Sequence, residues 1–109
     1  MTENLFGFIG LGNMGRPMAQ NITSRNIPLI VHDLAGTKER SPDKAIIAVS
    51  NQDLAKKAKV IALSLPNLES NKSVIREIAD VAKRGTVVVD TCTIGPQAAA
   101  ENKEVLQTA

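Results

Sequence analysis

Residues 6–15 read Phe-Gly-Phe-Ile-Gly-Leu-Gly-Asn-Met-Gly, an apolar run that ends directly in the spacing G-x-G-x-x-G. No other stretch constrains the fold as tightly. Gly10 permits a tight turn out of a strand, Gly12 lets the backbone approach a guest, and Gly15 lets the following helix lie close on the strand. The helix that opens there presents unpaired N–H groups and the positive end of its dipole near Asn13 to Gly15. That combination suits a pyrophosphate. A dinucleotide is the expected guest.

The rest of the chain alternates strand and helix patterns, the order expected of a parallel sheet with helices on its faces. Leu5–Ile9 is continuously apolar, as a strand buried on both sides should be. Met14, Met18 and Ile22 recur along one side of the first helix, which Asn26 closes. Leu29–Val31 predicts a second strand, and Ala35–Lys44 a loop with at most one helical turn. A third strand is expected around Ile46–Val49, and a small helix over Leu54–Ala58 behind a Ser50/Asp53 capping pattern. Val60–Leu65 predicts the fourth strand, ended by Pro66. A longer helix over Glu69–Lys83 turns Val74, Ile75, Ile78, Val81 and Ala82 inward, with Gly85 as its C-terminal cap. Thr86–Val89 predicts the fifth strand, and Pro96 opens a last helix. The expected fold is α/β: a Rossmann-like, doubly wound parallel sheet of about five strands in the order 3-2-1-4-5. Residues 1–109 are read as a single dinucleotide-binding domain, since 109 residues suffice for one core and not for two.

Composition removes several classes. Phe6 and Phe8 are the only aromatic residues, so the core is aliphatic and there is no stacking platform for nucleic acid. A formal charge of +2 is too small for a polyanion surface, and Lys56, Lys57 and Lys59 read as one solvated helix face. One cysteine and one histidine exclude an internal disulfide and a cluster of the usual nitrogen and sulfur metal ligands. Neither a signal peptide nor an apolar run of about 18 residues is found, so no membrane partner is expected and the cytoplasm is the expected location.

The remaining chemistry collects at the carboxyl ends of the strands, where ligands bind in such sheets. Asp33 ends the second strand, 23 residues after Gly10, where an acidic side chain accepts hydrogen bonds from an adenosine ribose. A carboxylate there favours NAD over NADP, while Lys38 and Arg40 downstream leave NADP open. Asp90-Thr91-Cys92-Thr93-Ile94-Gly95-Pro96 follows the fifth strand. Thr91 and Thr93 supply hydroxyl groups and the helix at Pro96 supplies N–H groups, suited equally to an anionic ligand or to capping the loop's own backbone. His32 lies on the adenosine side, and a structural role is favoured for it. Cys92 has no second histidine to activate it and reads as a small polarizable neighbour of the ligand.

Three segments together resemble the β-hydroxyacid dehydrogenase family, a group that includes 3-hydroxyisobutyrate dehydrogenase-like and, more distantly, 6-phosphogluconate dehydrogenase-like enzymes. Gly7-Phe8-Ile9-Gly10-Leu11-Gly12-Asn13-Met14-Gly15-Arg16-Pro17-Met18-Ala19 is similar to the family's opening. Leu63-Ser64-Leu65-Pro66-Asn67 is similar to its leucine-proline turn, and Val89–Pro96 to its substrate loop. The resemblance implies cofactor contacts from Gly10, Leu11, Gly12, Asn13 and Met14, with Asp33 on the ribose. It also implies that Leu65, Pro66 and Thr93 line the nicotinamide half, and that Cys92 and Thr93 meet the substrate carboxylate. Cys92 replaces the customary serine, a strong donor, with a weak one. Gly95 stands where a Ser or Asp caps the family's last helix.

The implied activity is hydride transfer between nicotinamide and a small β-hydroxy acid. The family's later strands and helical domain, which carries the acid–base lysine, have no counterpart here, so no catalytic residue is expected in this chain. Val87, Val88 and Val89 would then form an outer strand with an open edge, a surface for self-association. A fragment, or a single module needing a partner, fits this pattern. The alternatives are a non-catalytic NAD-binding regulatory or interaction module, and an S-adenosylmethionine-dependent methyltransferase, against which Asn13-Met14-Gly15-Arg16-Pro17 argues.

Overall fold

The structure, a computed structural model, describes residues 5–34, 36–92 and 95–107. Ten elements alternate: β1 (Phe6–Ile9), α1 (Gly15–Ser24), β2 (Leu29–His32), α2 (Thr37–Arg40), β3 (Ile46–Ile47), α3 (Asn51–Lys57), β4 (Val60–Leu63), α4 (Leu68–Val81), β5 (Val87–Asp90) and α5 (Gly95–Gln107). All five strands are parallel in the order β3-β2-β1-β4-β5, as the sequence pattern predicts. The order reverses beside β1, so the carboxyl ends of β1, β2 and β4 bound the crevice where a ligand binds.

Strand side chains alternate between faces, and the sheet accordingly has two cores. Phe8, Leu29 and Val31 pack with Leu11 and Ala19 under α1. Ile9, Ile30, Ile61 and Leu63 pack on the opposite face with Leu54, Val74, Ile75 and Ile78. Side chains such as Ile30, Ile61 and Ile78, all fully buried, contribute about 2 kcal/mol each through removal from water. On the α1 face the cover stops short of β5, and Val87 and Val89 remain 52% and 46% exposed. β5 is the outer strand that the sequence predicts.

Local chemistry accounts for most boundaries. Asn26 takes φ = 60° and closes α1, while Pro17 occupies its first turn, where a missing N–H costs least. The Ser50 hydroxyl accepts from the Asp53 N–H at 3.0 Å, and the Asp53 carboxylate reaches back to the Val49 N–H at 3.1 Å. This reciprocal cap starts α3 at Asn51, three residues before the predicted start. Other boundaries differ from expectation. α4 ends at Val81 because Ala82 turns extended, so Gly85 shapes the following turn instead of capping the helix. Lys59 lies beyond α3 and joins strands, its N–H donating to the Leu5 carbonyl at 2.9 Å. Met14 is 74% exposed and leaves the packed stripe to Met18 and Ile22.

A buried polar network, unforeseen in the apolar stripe of α4, ties the last third together. Asn71, fully buried, donates to the Asp90 carboxylate at 2.9 Å and accepts from the Asn102 amide at 2.6 Å. Asp90 also accepts from the Cys92 N–H at 2.9 Å, which fixes the chain as it leaves β5.

Candidate functional site

The three glycines of the β1–α1 turn differ in what surrounds them. A Cβ on Gly10 would lie 2.0 Å from the Ser64 carbonyl oxygen, and Gly10 itself has φ = +98°. A Cβ on Gly15 would lie 1.9 Å from the Gly10 carbonyl oxygen. These two positions are closed by the protein's own packing. Around Gly12 nothing lies within 4 Å of the space a side chain would take. Among the described residues the fold makes no use of that space, which leaves room for a ligand to approach the backbone. Met14, at the N-terminal boundary of α1, makes no side-chain capping bond, and no acidic residue stands in the first turn. The positive end of α1 is left for an anion.

Asp33 faces this turn. Its Oδ2 accepts from the Leu11 N–H at 2.6 Å and lies 3.9 Å from the Arg40 guanidinium. The Thr37 hydroxyl clips the Asp33 backbone, accepting from its N–H at 2.8 Å and donating to its carbonyl at 2.9 Å. A short helical turn that looks irregular in sequence is thus what holds the carboxylate in place.

A cavity of about 1080 Å³ runs along the carboxyl edge, and Gly10, Gly12, Asn13, Met14, Asp33, Leu65 and Pro66 all line it. Its size is at about the upper end of the range for small-molecule sites. Leu11 lines a smaller neighbouring cavity of about 280 Å³ with Arg16 and Arg40, while its own side chain is buried in the α1-face core. Only its backbone N–H is directed to the site chemistry, through Asp33.

The β5 loop is less simple. Cys92 packs against the core on the α4 face, and its sulfur accepts from the Leu65 N–H at 3.2 Å. It does not line the cavity. Burial pushes its thiol above the ordinary 9.0, so it is a poor source of thiolate. The Thr91 hydroxyl donates to the Leu63 carbonyl, the backbone role rather than the ligand role. Thr93 lies outside the described residues.

Residues missed in sequence also line the cavity: Asn51 from α3, Ser73 and Glu77 from α4. His32, which also lines the cavity, is held by Asn51, its Nδ1 lying 2.7 Å from Asn51 Oδ1. The available signal was Asn51, a polar residue that sits just behind the Ser50 cap.

Residues 5–109 match the family described as the NAD binding domain of 6-phosphogluconate dehydrogenase. The chain belongs to this family. Among curated relatives, mitochondrial 3-hydroxyisobutyrate dehydrogenase of Rattus norvegicus is 37% identical over 100 residues, covering 87% of this chain and 30% of the relative. 2-(Hydroxymethyl)glutarate dehydrogenase of Eubacterium barkeri is 34% identical over 95 residues, covering 83% and 32%. The chain therefore spans about a third of the length of these relatives. In three dimensions, the Mycobacterium tuberculosis 3-hydroxyisobutyrate dehydrogenase solved with L-serine superposes with a TM-score of 0.84 at 23% identity, over 96% of this chain and 37% of that one. The NAD-binding domain and its Rossmann-type sheet are thereby established. In this NAD-binding domain the uncapped helix, the open glycine and the carboxylate fixed across from them lie together at the carboxyl edge of the sheet.

Proposed function

We propose that residues 1–109 are the cofactor domain of an NAD-dependent oxidoreductase that moves hydride between nicotinamide and a small β-hydroxy acid. The observation that carries this is the open space at Gly12 beneath the uncapped end of α1, with Asp33 fixed across the turn. Gly12, Asn13 and Met14 hold the diphosphate through backbone N–H groups and the helix dipole, while the Gly10 and Leu11 N–H groups, donating to the His32 carbonyl and the Asp33 carboxylate, shape the turn around it. Asp33 accepts from the ribose hydroxyls, and its charge disfavours a phosphate on that sugar. Leu65 and Pro66, which line the cavity, flank the nicotinamide half. Bound NAD supplies the hydride acceptor. The role proposed for residues 1–109 is to bind and orient the cofactor.

The names of the matched dehydrogenases support a hydroxy-acid substrate. No helix among the described residues is long and apolar enough to cross a membrane. The outer strand β5 is proposed as a surface for self-association, checked by light scattering of wild type against Val89→Lys.

Titration with NADH, NADPH and S-adenosylmethionine, followed by nicotinamide fluorescence or calorimetry, tests the cofactor reading. NADH is expected to bind most tightly, and Asp33→Asn is expected to lose at least fivefold in NADH affinity while narrowing the gap to NADPH. Preference for S-adenosylmethionine, or no binding of either dinucleotide, overturns it.

A further inference from the structure

The large cavity contains a polar chain that neither the pyrophosphate turn nor Asp33 uses. His32, Asn51 and Glu77 come from β2, α3 and α4, line the same cavity, and are joined end to end. His32 Nδ1 lies 2.7 Å from Asn51 Oδ1, and Asn51 Nδ2 donates to Glu77 Oε1 at 3.1 Å. The proton inventory fixes the direction of this chain. A carboxylate only accepts, so the amide nitrogen of Asn51 must face Glu77 and its oxygen must face His32. An amide oxygen only accepts, so Nδ1 carries the ring hydrogen. In the neutral imidazole the remaining nitrogen, Nε2, is then an acceptor.

We infer that this relay reads the base of the bound dinucleotide, with His32 Nε2 accepting a hydrogen from an exocyclic amino group. The inference rests on the dinucleotide reading above. Asp33, the next residue, is the proposed ribose ligand, and the base joined to that ribose enters the same cavity. Consecutive strand residues point to opposite faces, so His32 turns toward α3 and α4 while Asp33 turns toward the glycine turn. Asn51 is only 7% exposed, which keeps water from relaxing the relay. A base with an amino group at that position satisfies Nε2. A base with a carbonyl there sets two acceptors face to face and leaves both unpaired. The site therefore selects adenine over hypoxanthine.

The test compares NADH with reduced nicotinamide hypoxanthine dinucleotide on the same chain. Wild type is expected to bind NADH about tenfold more tightly, the scale of one unmade hydrogen bond in a shielded site. His32→Phe keeps the bulk of the ring and removes both nitrogens, and the ratio is expected to fall to about one. A purely structural histidine would weaken both dinucleotides alike and leave the ratio unchanged. A second measurement needs no variant. His32 is the sole histidine, so ¹⁵N spectra of the imidazole have one residue to assign. The free chain is expected to show the Nδ1-protonated form, and NADH is expected to shift the Nε2 signal while reduced nicotinamide mononucleotide does not. Equal binding of the two dinucleotides by wild type, or an Nε2-protonated ring, overturns the inference and leaves the cofactor reading standing. Failure to bind either overturns both.

Discussion

The β1–α1 and β4–α4 junctions lie at the same sheet edge, line the same cavity, and treat their helix ends in opposite ways. At α4, the Asn67 side chain accepts from the Ser70 N–H at 2.8 Å, and Glu69 stands in the first turn. The junction before α3 is closed in the same manner by Ser50 and Asp53. At α1 there is no capping side chain and no acidic residue in the first turn. A helix end satisfied by its own side chains gains stability, about 1 kcal/mol per cap, and loses its appetite for an external anion. The difference separates a junction built to hold the fold from one that trades stability for a ligand.

The glycine turn offers the sharpest way to break this comparison. Gly10→Ala and Gly15→Ala place a Cβ about 2 Å from backbone oxygens, and Gly10 has φ = +98°. Each is expected to cost about 3 kcal/mol or more, or to prevent folding, as read by thermal or urea unfolding. Gly12→Ala meets nothing within 4 Å and is expected to keep stability within about 0.5 kcal/mol. Its NADH affinity should fall at least tenfold. Equal stability losses at all three glycines would mean that the turn is merely a tight corner.

The closed side of the molecule predicts the next largest effect. Asn71→Leu removes the amide that links Asp90 and Asn102 in a fully buried position. Stability is expected to drop by about 1–3 kcal/mol, because the buried Asn102 amide loses its partner inside the core while the exposed Asp90 turns to water. A loss below about 1 kcal/mol in denaturant unfolding would show that the network is readily replaced by packing.

Exchanging the two kinds of helix end tests the trade directly. Asn67→Ala is expected to cost about 1 kcal/mol. Asn13→Asp brings a carboxylate to the open end of α1, and should raise stability by about 0.5 kcal/mol while weakening NADH about tenfold. Stability and affinity moving in the same direction for Asn13→Asp would contradict the comparison.

The smallest effect concerns acid. The Lys57 ammonium, 2.9 Å away, and then the Val49 N–H hold the Asp53 carboxyl below its ordinary 3.8. A lowered folded value means that its contribution is complete above the ordinary carboxylate pKa and is lost as pH falls through the folded one. Solvent screens this exposed pair, so a few tenths of a kcal/mol are expected. Asp53→Asn should flatten that part of the stability profile below about pH 4, measured by unfolding at successive pH values.

Much of this was legible in order along the chain. The three-glycine turn, the strand–helix alternation and Asp33 place the sheet order and the cofactor edge, because local backbone needs and parallel-sheet topology leave few alternatives. The Ser50 cap was readable because its partner is three residues away. Gly85 does not cap α4, because the helix ends where Ala82 becomes extended, and nothing in Asp80–Arg84 marks that point. Cys92 and Thr91 were readable as a loop near the ligand, but not as groups turned to Leu65 and Leu63 on the neighbouring strand segment.

By itself, then, the sequence determined the glycine turn, the Ser50 cap and the acid at the tip of β2, which depend on near neighbours, and the strand order, which the alternation of strands and helices leaves few ways to vary. Tertiary structure decided which polar groups are consumed by the fold and which are left to a ligand. Asn71 finds Asp90 and Asn102, and Asn51 finds His32 and Glu77, across 19 to 31 residues. Hydrogen bonds require approach to about 3 Å, and only the packed chain brings groups so far apart in sequence to that distance.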